Sequence, residues 1–306
     1  MVNTLIQLLI KESIMPTNRR RFIRNISAGA LALGAGIPLS MCKNSTEESI
    51  IILHTNDMHS QIDGFPKDHP RFPGLGGLSR IAEKVSRIRD SYPNVLLVDA
   101  GDIFQGSPYF NFFKGELEIK LMNEMGYDAS TFGNHEFDNG MVELAKQVSK
   151  ANFPFLNCNY NLTETPLQNL HQPYKIVKKG DAKIGITGMG IKLDGLADPS
   201  NIRNLQYNDP FSNVERVADH LKKNEKCDIV ICLSHLGYKH KSDKVSDTFI
   251  ANNTKNIDLI IGGHTHTFMD KPDEITNRFN KKVIVHQAGW GGLRLGVIQV
   301  KIPVKS

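Results

Sequence analysis

Thiols are scarce in this 306-residue chain. There are four cysteines, Cys42, Cys158, Cys227 and Cys232, and no CxxC pair. That argues against a closed structural zinc site built on thiolates. Cys227 and Cys232 flank the apolar run DIVI at an odd separation, which in a strand points them to opposite faces and away from an intrastrand disulfide. Cys158, Cys227 and Cys232 read as small buried hydrophobes. A broad charge excess is missing too. Of the net +5, residues 1–42 carry +4, and the rest holds 32 Lys/Arg against 31 Asp/Glu, a net of +1. A near-neutral body argues against a surface that tracks a phosphate backbone, so nucleic acid polymers are not expected partners. Internal repeats and low-complexity tracts are absent.

No apolar run reaches membrane-spanning length. The longest, from about Ile26 to Leu39, falls short of the roughly 20 residues a spanning helix needs. It follows the basic segment Arg19-Arg20-Arg21-Phe22-Ile23-Arg24, and basic-then-apolar is the order of an export signal. The segment resembles a twin-arginine signal; an ordinary secretion signal with an extra arginine run is the alternative. LSMC, ending at Cys42, partly matches a lipoprotein cleavage box, but Met41 stands where a small residue is expected, so a lipid anchor stays open. Met15 is an alternative start to Met1. We therefore read residues 1–45 as an export signal, with the mature chain periplasmic or anchored facing the exterior, and residues 46–306 as one catalytic domain.

From Ser49 onward one theme repeats: an apolar strand, a polar loop, then commonly a helix. GGLSRIAEKVSRIRDSYP reads as an amphipathic helix stopping near Pro93, and ELEIKLMNEMGYD as a helix capped at Gly126. NFPFLNCNYN reads as a strand, and KKVIVHQAGWGGLRLGVIQVKIPV as two strands joined at a glycine-rich turn. Near-continuous apolar strands alternating with helices predict an α/β fold with a buried sheet. In such folds ligands gather beyond the carboxyl ends of the strands.

Those ends are where the chain concentrates its coordinating groups. Asp57 and His59 follow SIIILHTN, Asp102 follows VLLVDAG, Asn134 and His135 follow ASTFG, His235 follows DIVICLS, and His264 and His266 follow IDLIIGG. In extended backbone, residues two apart face one side, so Asp57 with His59 and His264 with His266 can each grip an ion. Carboxylate, imidazole and amide oxygen together suit Zn, Mn, Fe or Co, and also accept Mg or Ca. So many ligands exceed one tetrahedral ion and fit two ions sharing a carboxylate, about 3.5–4 Å apart. His54, inside a strand, reads as a core or supporting residue. The aromatics from Phe104 to Phe113 read as packing, with a wall for a base as the alternative.

ILHTNDMH, LLVDAGDIFQGSP, GYDASTFGNHEFDNG, ICLSHLGYKH and LIIGGHTHTF, in this order, resemble the blocks of calcineurin-like metallophosphoesterases, specifically the catalytic domain of the 5′-nucleotidase family. The resemblance runs from about Ser49 to the end of the chain. It implies an α/β fold, a four-layer α/β/β/α sandwich of two mixed sheets flanked by helices, with a dinuclear site. Carried over, Asp57, His59 and His266 would hold one divalent ion, Asn134, His235 and His264 the other, and Asp102 would bridge them. His135 and Asp138 would be the catalytic dyad, and Glu136 a support of its loop. HQAGWGG resembles the family's substrate-side loop, though a direct role for His286 is not expected. The implied reaction is phosphoester hydrolysis by a metal-bridging hydroxide, on a small phosphate ester such as a nucleotide. The family's second, nucleotide-recognition domain is not found in the sequence before Ser306. Three readings follow: the catalytic half of a split enzyme with its recognition domain on a separate polypeptide; a stand-alone phosphoesterase for cyclic nucleotides, nucleotide sugars or other small esters; or a noncatalytic metal- or phosphate-binding partner. Retention of every expected ligand and both dyad residues weighs against the last.

Overall fold

The computed structural model describes residues 47–241 and 244–303. The expected export signal, including Arg19–Arg24 and Cys42, lies outside the described residues. Among those described, no helix is long and apolar enough to cross a membrane.

Two sheets form the centre. In the first, β1 (Glu47–Thr55) runs parallel to β2 (Val95–Asp99) and antiparallel to β14 (Gly296–Pro303). A bridge from Val98 to Ala129 joins it to a short parallel sheet of β3 (Ser130–Thr131), β4 (Phe155–Leu156) and β6 (His171–Gln172). The parallel centre of the second sheet is β8 (Ala182–Met189), β10 (Ile229–Ser234), β11 (Leu259–Gly262) and β13 (Lys282–His286). Antiparallel β7 (Tyr174–Lys179) and β12 (Asp273–Thr276) close its edges. Its strand order is β12-β13-β11-β10-β8-β7. A small pair, β5 (Tyr160–Asn161) with β9 (Gln206–Tyr207), lies apart.

The layering follows from the two-residue period of a strand. In β1, Ile50 and Ile52 face the second sheet, where they meet Ile186, Ile231 and Ile261 in one buried cluster. Ile51 and Leu53 face the other way, onto α1 (Leu78–Ser91), α3 (Glu116–Met125) and α4 (Gly140–Val148), through Ile81, Val85, Ile119, Met122 and Leu144. The short helix α2 (Pro108–Phe113) adds Phe110 to this layer. On the outer face of the second sheet, Val230, Cys232 and Ile260 pack with Val217, Leu221 and Ile250 of α5 (Pro210–Lys223) and α6 (Asp247–Asn253). Helices, sheet, sheet and helices make the four layers that the resemblance implied. The inner strands β2, β10 and β11 are covered on both faces, which is why they read as unbroken apolar runs, whereas the edge strand β14 alternates.

Helix ends are set locally. α1 stops as Tyr92, preceding Pro93, turns extended (φ −134°, ψ 127°), the conformation a following proline enforces. α3 ends on Gly126 in the left-handed region, as expected. Three expectations need correction. NFPFLNCNYN is two strands in different sheets, because the Asn157 side chain accepts the N–H of Asn159 and Tyr160 and forms a turn between them. The last two strands, β13 and β14, do not pair; the glycine-rich segment crosses from one sheet to the other. Cys227 precedes its strand, so Cys227 and Cys232 share one buried cluster with Cys158; all three are free thiols.

Gly188 shows how closely the layers approach. A Cβ there would overlap the carbonyl oxygen of Leu156 and lie 2.6 Å from Thr131 Oγ1. Gly188→Ala should therefore cost about 1–3 kcal/mol, the usual range for overpacking, read as a lower urea midpoint at unchanged m. An unchanged midpoint would contradict this packing.

Candidate metal centre

The loops after β1, β2, β3, β10 and β11 converge. Nitrogen and oxygen atoms of Asp57, His59, Asp102 and His266 lie within 4.8 Å of one another, as do those of Asp102, His235 and His264. Asp102 belongs to both groups. Its Oδ2 is 3.0 Å from His235 Nε2 and 4.0 Å from His59 Nε2. In the first group, His266 Nε2 is 3.3 Å from Asp57 Oδ1 and 2.9 Å from His59 Nε2. In the second, Asn134 Oδ1 is 2.9 Å from His264 Nδ1. All seven predicted ligands thus come together.

The backbone reading of the paired ligands needs correction. Asp57 and His59 both sit at φ 50°, and His264 and His266 at φ 70° and 50°, in tight left-handed turns rather than extended chain. The turn places His264 and His266 in different groups. Asp102, at φ 54°, is left-handed as well. A non-glycine residue pays about 1–2 kcal/mol for that conformation, so neighbours must hold it. They do so through main-chain bonds: Asp57 N–H to Gly101 O, His59 N–H to Asp102 O, and His264 N–H to the Asp57 carboxylate at 3.0 Å.

The donor atoms fit a cation. His59 Nδ1 meets Gln105 O at 3.0 Å and His235 Nδ1 meets Ala100 O at 2.7 Å. A carbonyl only accepts, so Nδ1 carries the hydrogen, and in the neutral ring Nε2 presents a lone pair to the cluster. His235 Nε2, fully buried, points into the cluster with Asp102 Oδ2 3.0 Å away as its one charged neighbour at that distance. Lone pairs and carboxylates converging in a buried place are what a divalent ion satisfies. Burial lowers the pKa of His59, and burial with His235 nearby pushes His264 down to about 4, which keeps both rings neutral. Burial also opposes charge on His235 and Asp102, but their mutual attraction wins. Without a cation, that attraction raises the His235 pKa and holds Asp102 well below the usual carboxylate range; a bound cation would take the place of the His235 Nε2 proton.

The next turn, a single 3₁₀ turn at His135–Phe137, brings His135 and Asp138 to one side. His135 Nδ1 is 2.7 Å from Asp138 Oδ2, and the His135 main-chain N–H donates to Asp102 Oδ1 at 2.9 Å. The bond to Asp138 raises the His135 pKa against the effect of burial. Asn201, in the 3₁₀ turn Pro199–Ile202, donates to Asp138 O at 2.8 Å and so holds the dyad's backbone from a separate segment.

Some supports escaped the sequence. Glu136, read only as holding its loop, accepts N–H bonds from Asp102, Ile103 and Phe104 on one loop and from Gly133 on another. Gln287 clamps the histidine turn: it accepts from Thr267 N and donates to Gly263 O. Asn56 similarly holds the Asp57 carboxylate and the chain at Ala288 and Gly289. Their only sequence signal is proximity to ligands or to HQAG. His54 is fully buried, 2.7 Å from His286 Nδ1 in the opposite sheet, in keeping with a core residue. Of the aromatic run, Phe104 and Phe110 are core, while Phe112 and Phe113 are exposed.

Glu136→Ala would strand four main-chain donors. At about 1–3 kcal/mol for each buried donor that water cannot reach, a loss of at least about 3 kcal/mol is expected in denaturant unfolding of the metal-free chain. Wild-type stability would contradict the assigned support.

The profile of calcineurin-like phosphoesterases matches residues 50–268. The 5′-nucleotidase of Bos taurus is 33% identical, over 93% of this chain and 50% of its own length. The crystal structure of a 5′-nucleotidase precursor from Thermus thermophilus superposes with a TM-score of 0.74 at 28% identity, covering 82% of this chain and 51% of that one. The calcineurin-like phosphoesterase YfkN from Bacillus subtilis superposes at 0.67 with 26% identity, covering 85% and 86% of the two chains. This chain spans about half the length of the 5′-nucleotidase relatives it matches. With the ordered blocks, the layered fold and the family profile in agreement, the chain belongs to the calcineurin-like phosphoesterase family.

Proposed function

We propose that this chain hydrolyses phosphate esters with two divalent ions and that its substrate is a nucleotide, as in a 5′-nucleotidase. The observation that carries the reading is one carboxylate, Asp102, shared by two ligand groups, with the His135–Asp138 pair tied to it by a main-chain hydrogen bond. In this reading Asp57, His59 and His266 hold one ion, and Asn134, His235 and His264 the other. The ion pair, when bound, supplies Lewis acidity toward phosphate oxygens and an acidified water.

The chain's own residues do the rest. Asp138 engages His135 Nδ1, which leaves Nε2 free to hold charge on the phosphate or give a proton to the leaving oxygen. The raised pKa keeps that proton available above the ordinary histidine value. The His135 N–H bond to Asp102 ties the acid to the carboxylate that both ligand groups share. Nucleotide preference rests on the likeness to proteins named 5′-nucleotidase. A separate recognition polypeptide remains part of the proposal, as does export directed by the sequence around Arg19–Leu39.

Phosphate release from AMP, a 2′,3′-cyclic nucleotide and p-nitrophenyl phosphate, with Mn, Zn or Co and with chelator, tests the reading. Metal-dependent turnover of AMP well above the artificial ester is expected if this chain recognises nucleotides. Turnover of the artificial ester alone puts nucleotide recognition outside these 306 residues, and no turnover with any metal contradicts the hydrolase. His135→Ala should lower kcat about 10²–10⁴-fold, the range of a general acid; unchanged turnover would remove it from the mechanism. The acid form is lost as pH rises through the raised folded pKa. Asp138→Asn removes the raising group, so the alkaline limb of the kcat profile should move to lower pH; an unmoved limb contradicts the dyad.

A further inference from the structure

The three residues that belong to the first ligand group alone are not equally held. The side chain of Asp57 is fully buried and that of His59 is 10% exposed, but that of His266 is 39% exposed. His59 is oriented by a carbonyl on Nδ1, and Asp57 by Asn56 and the His264 N–H. His266 has a different neighbour. The indole of Trp290 stacks on its imidazole, with centroids 5.7 Å apart and planes inclined by 16°.

The indole is itself wedged. Phe65 meets it edge-on at 5.1 Å and Phe72 at 6.2 Å. The next residue, Gly291, donates its N–H to Asp57 O at 2.8 Å and accepts from Gly77 N at 3.0 Å. A Cβ on Gly291 would lie 2.8 Å from the Phe65 ring, so only glycine permits this approach. Trp290 is therefore tied through the backbone of the adjoining Gly291 to one ligand of the group and through its ring to another. It is also the single tryptophan in the chain.

We infer that Trp290 is a positioning residue that fixes the ring of His266 and so governs retention of the ion in the Asp57–His59–His266 group. The inference rests on the two-ion reading above. A ring free to rotate would lose Nε2 from the group, whereas a stacked ring presents it continuously. Residues that orient ligands commonly change metal affinity by about 10–100-fold when removed. Because the only indole lies against the ligand, its emission reports occupancy of this group and not of the chain at large.

The test is chelator challenge of the purified zinc-loaded chain, counting ions released with time, for wild type, Trp290→Ala and Trp290→Phe. Trp290→Ala should release one ion about 10–100-fold faster and the other at the wild-type rate, and Trp290→Phe should stay near wild type. Zinc added to the metal-free wild type should change its tryptophan emission, and His266→Ala should remove that response. Wild-type release of both ions from Trp290→Ala overturns the inference. So does equal acceleration of both ions with a lowered unfolding midpoint of the metal-free chain, the mark of a packing role. An emission that ignores bound zinc overturns it as well. Failure to bind any divalent ion would overturn the two-ion reading and this inference together; binding without an effect of Trp290 overturns this inference alone.

Discussion

The loops after β1, β2, β3 and β10 are held together at the carboxylate of Asp102. One oxygen accepts the N–H of His135, the other faces His235 and His59, and the residue's own N–H is taken by Glu136. A buried carboxylate this deep is tolerable only if paired and hydrogen-bonded. The pairing fixes the spacing of the two ligand groups and, through His135, the place of the acid. Removing the charge would loosen the loop after β3 and leave the histidines of the second sheet without their common partner.

That knot forces the local chain into unfavourable shapes. Five of the seven candidate ligands occupy left-handed backbone. Small residues make the crowding possible: a Cβ on Gly133 would fall 2.5 Å from Asp102 N. Glu136, Gln287 and Asn56 then use main-chain hydrogen bonds to hold what the turns alone would not. The α/β/β/α layers provide a rigid frame, and the strained ligand turns gather in loops at one end of the sheets. Strain that persists against about 1–2 kcal/mol per residue marks a place where geometry serves something other than stability.

Much of this was legible. Apolar runs ending in Asp, Asn or His located every ligand-bearing loop, because a strand buried on both faces is an unbroken apolar run and the polar ligands mark where it stops. The helix ends at Tyr92 and Gly126 were readable from proline and glycine chemistry. Backbone conformation at the paired ligands was not. Asp57-Met58-His59 is as compatible with extended chain as with a left-handed turn until the loop after β2 packs against it. The crossing of the last two strands between sheets was equally hidden, since a glycine-rich joint is common to hairpins and crossovers. Glu136, Gln287 and Trp290 act across long sequence separations, and no local pattern distinguishes them from ordinary loop residues.

The most direct measurement is anomalous diffraction from crystals of the manganese-loaded chain. Two peaks flanking Asp102 are expected. One should contact Asp57, His59 and His266, and the other Asn134, His235 and His264. A single peak, or peaks that leave Asp102 out of contact with either ion, would contradict the two-ion site.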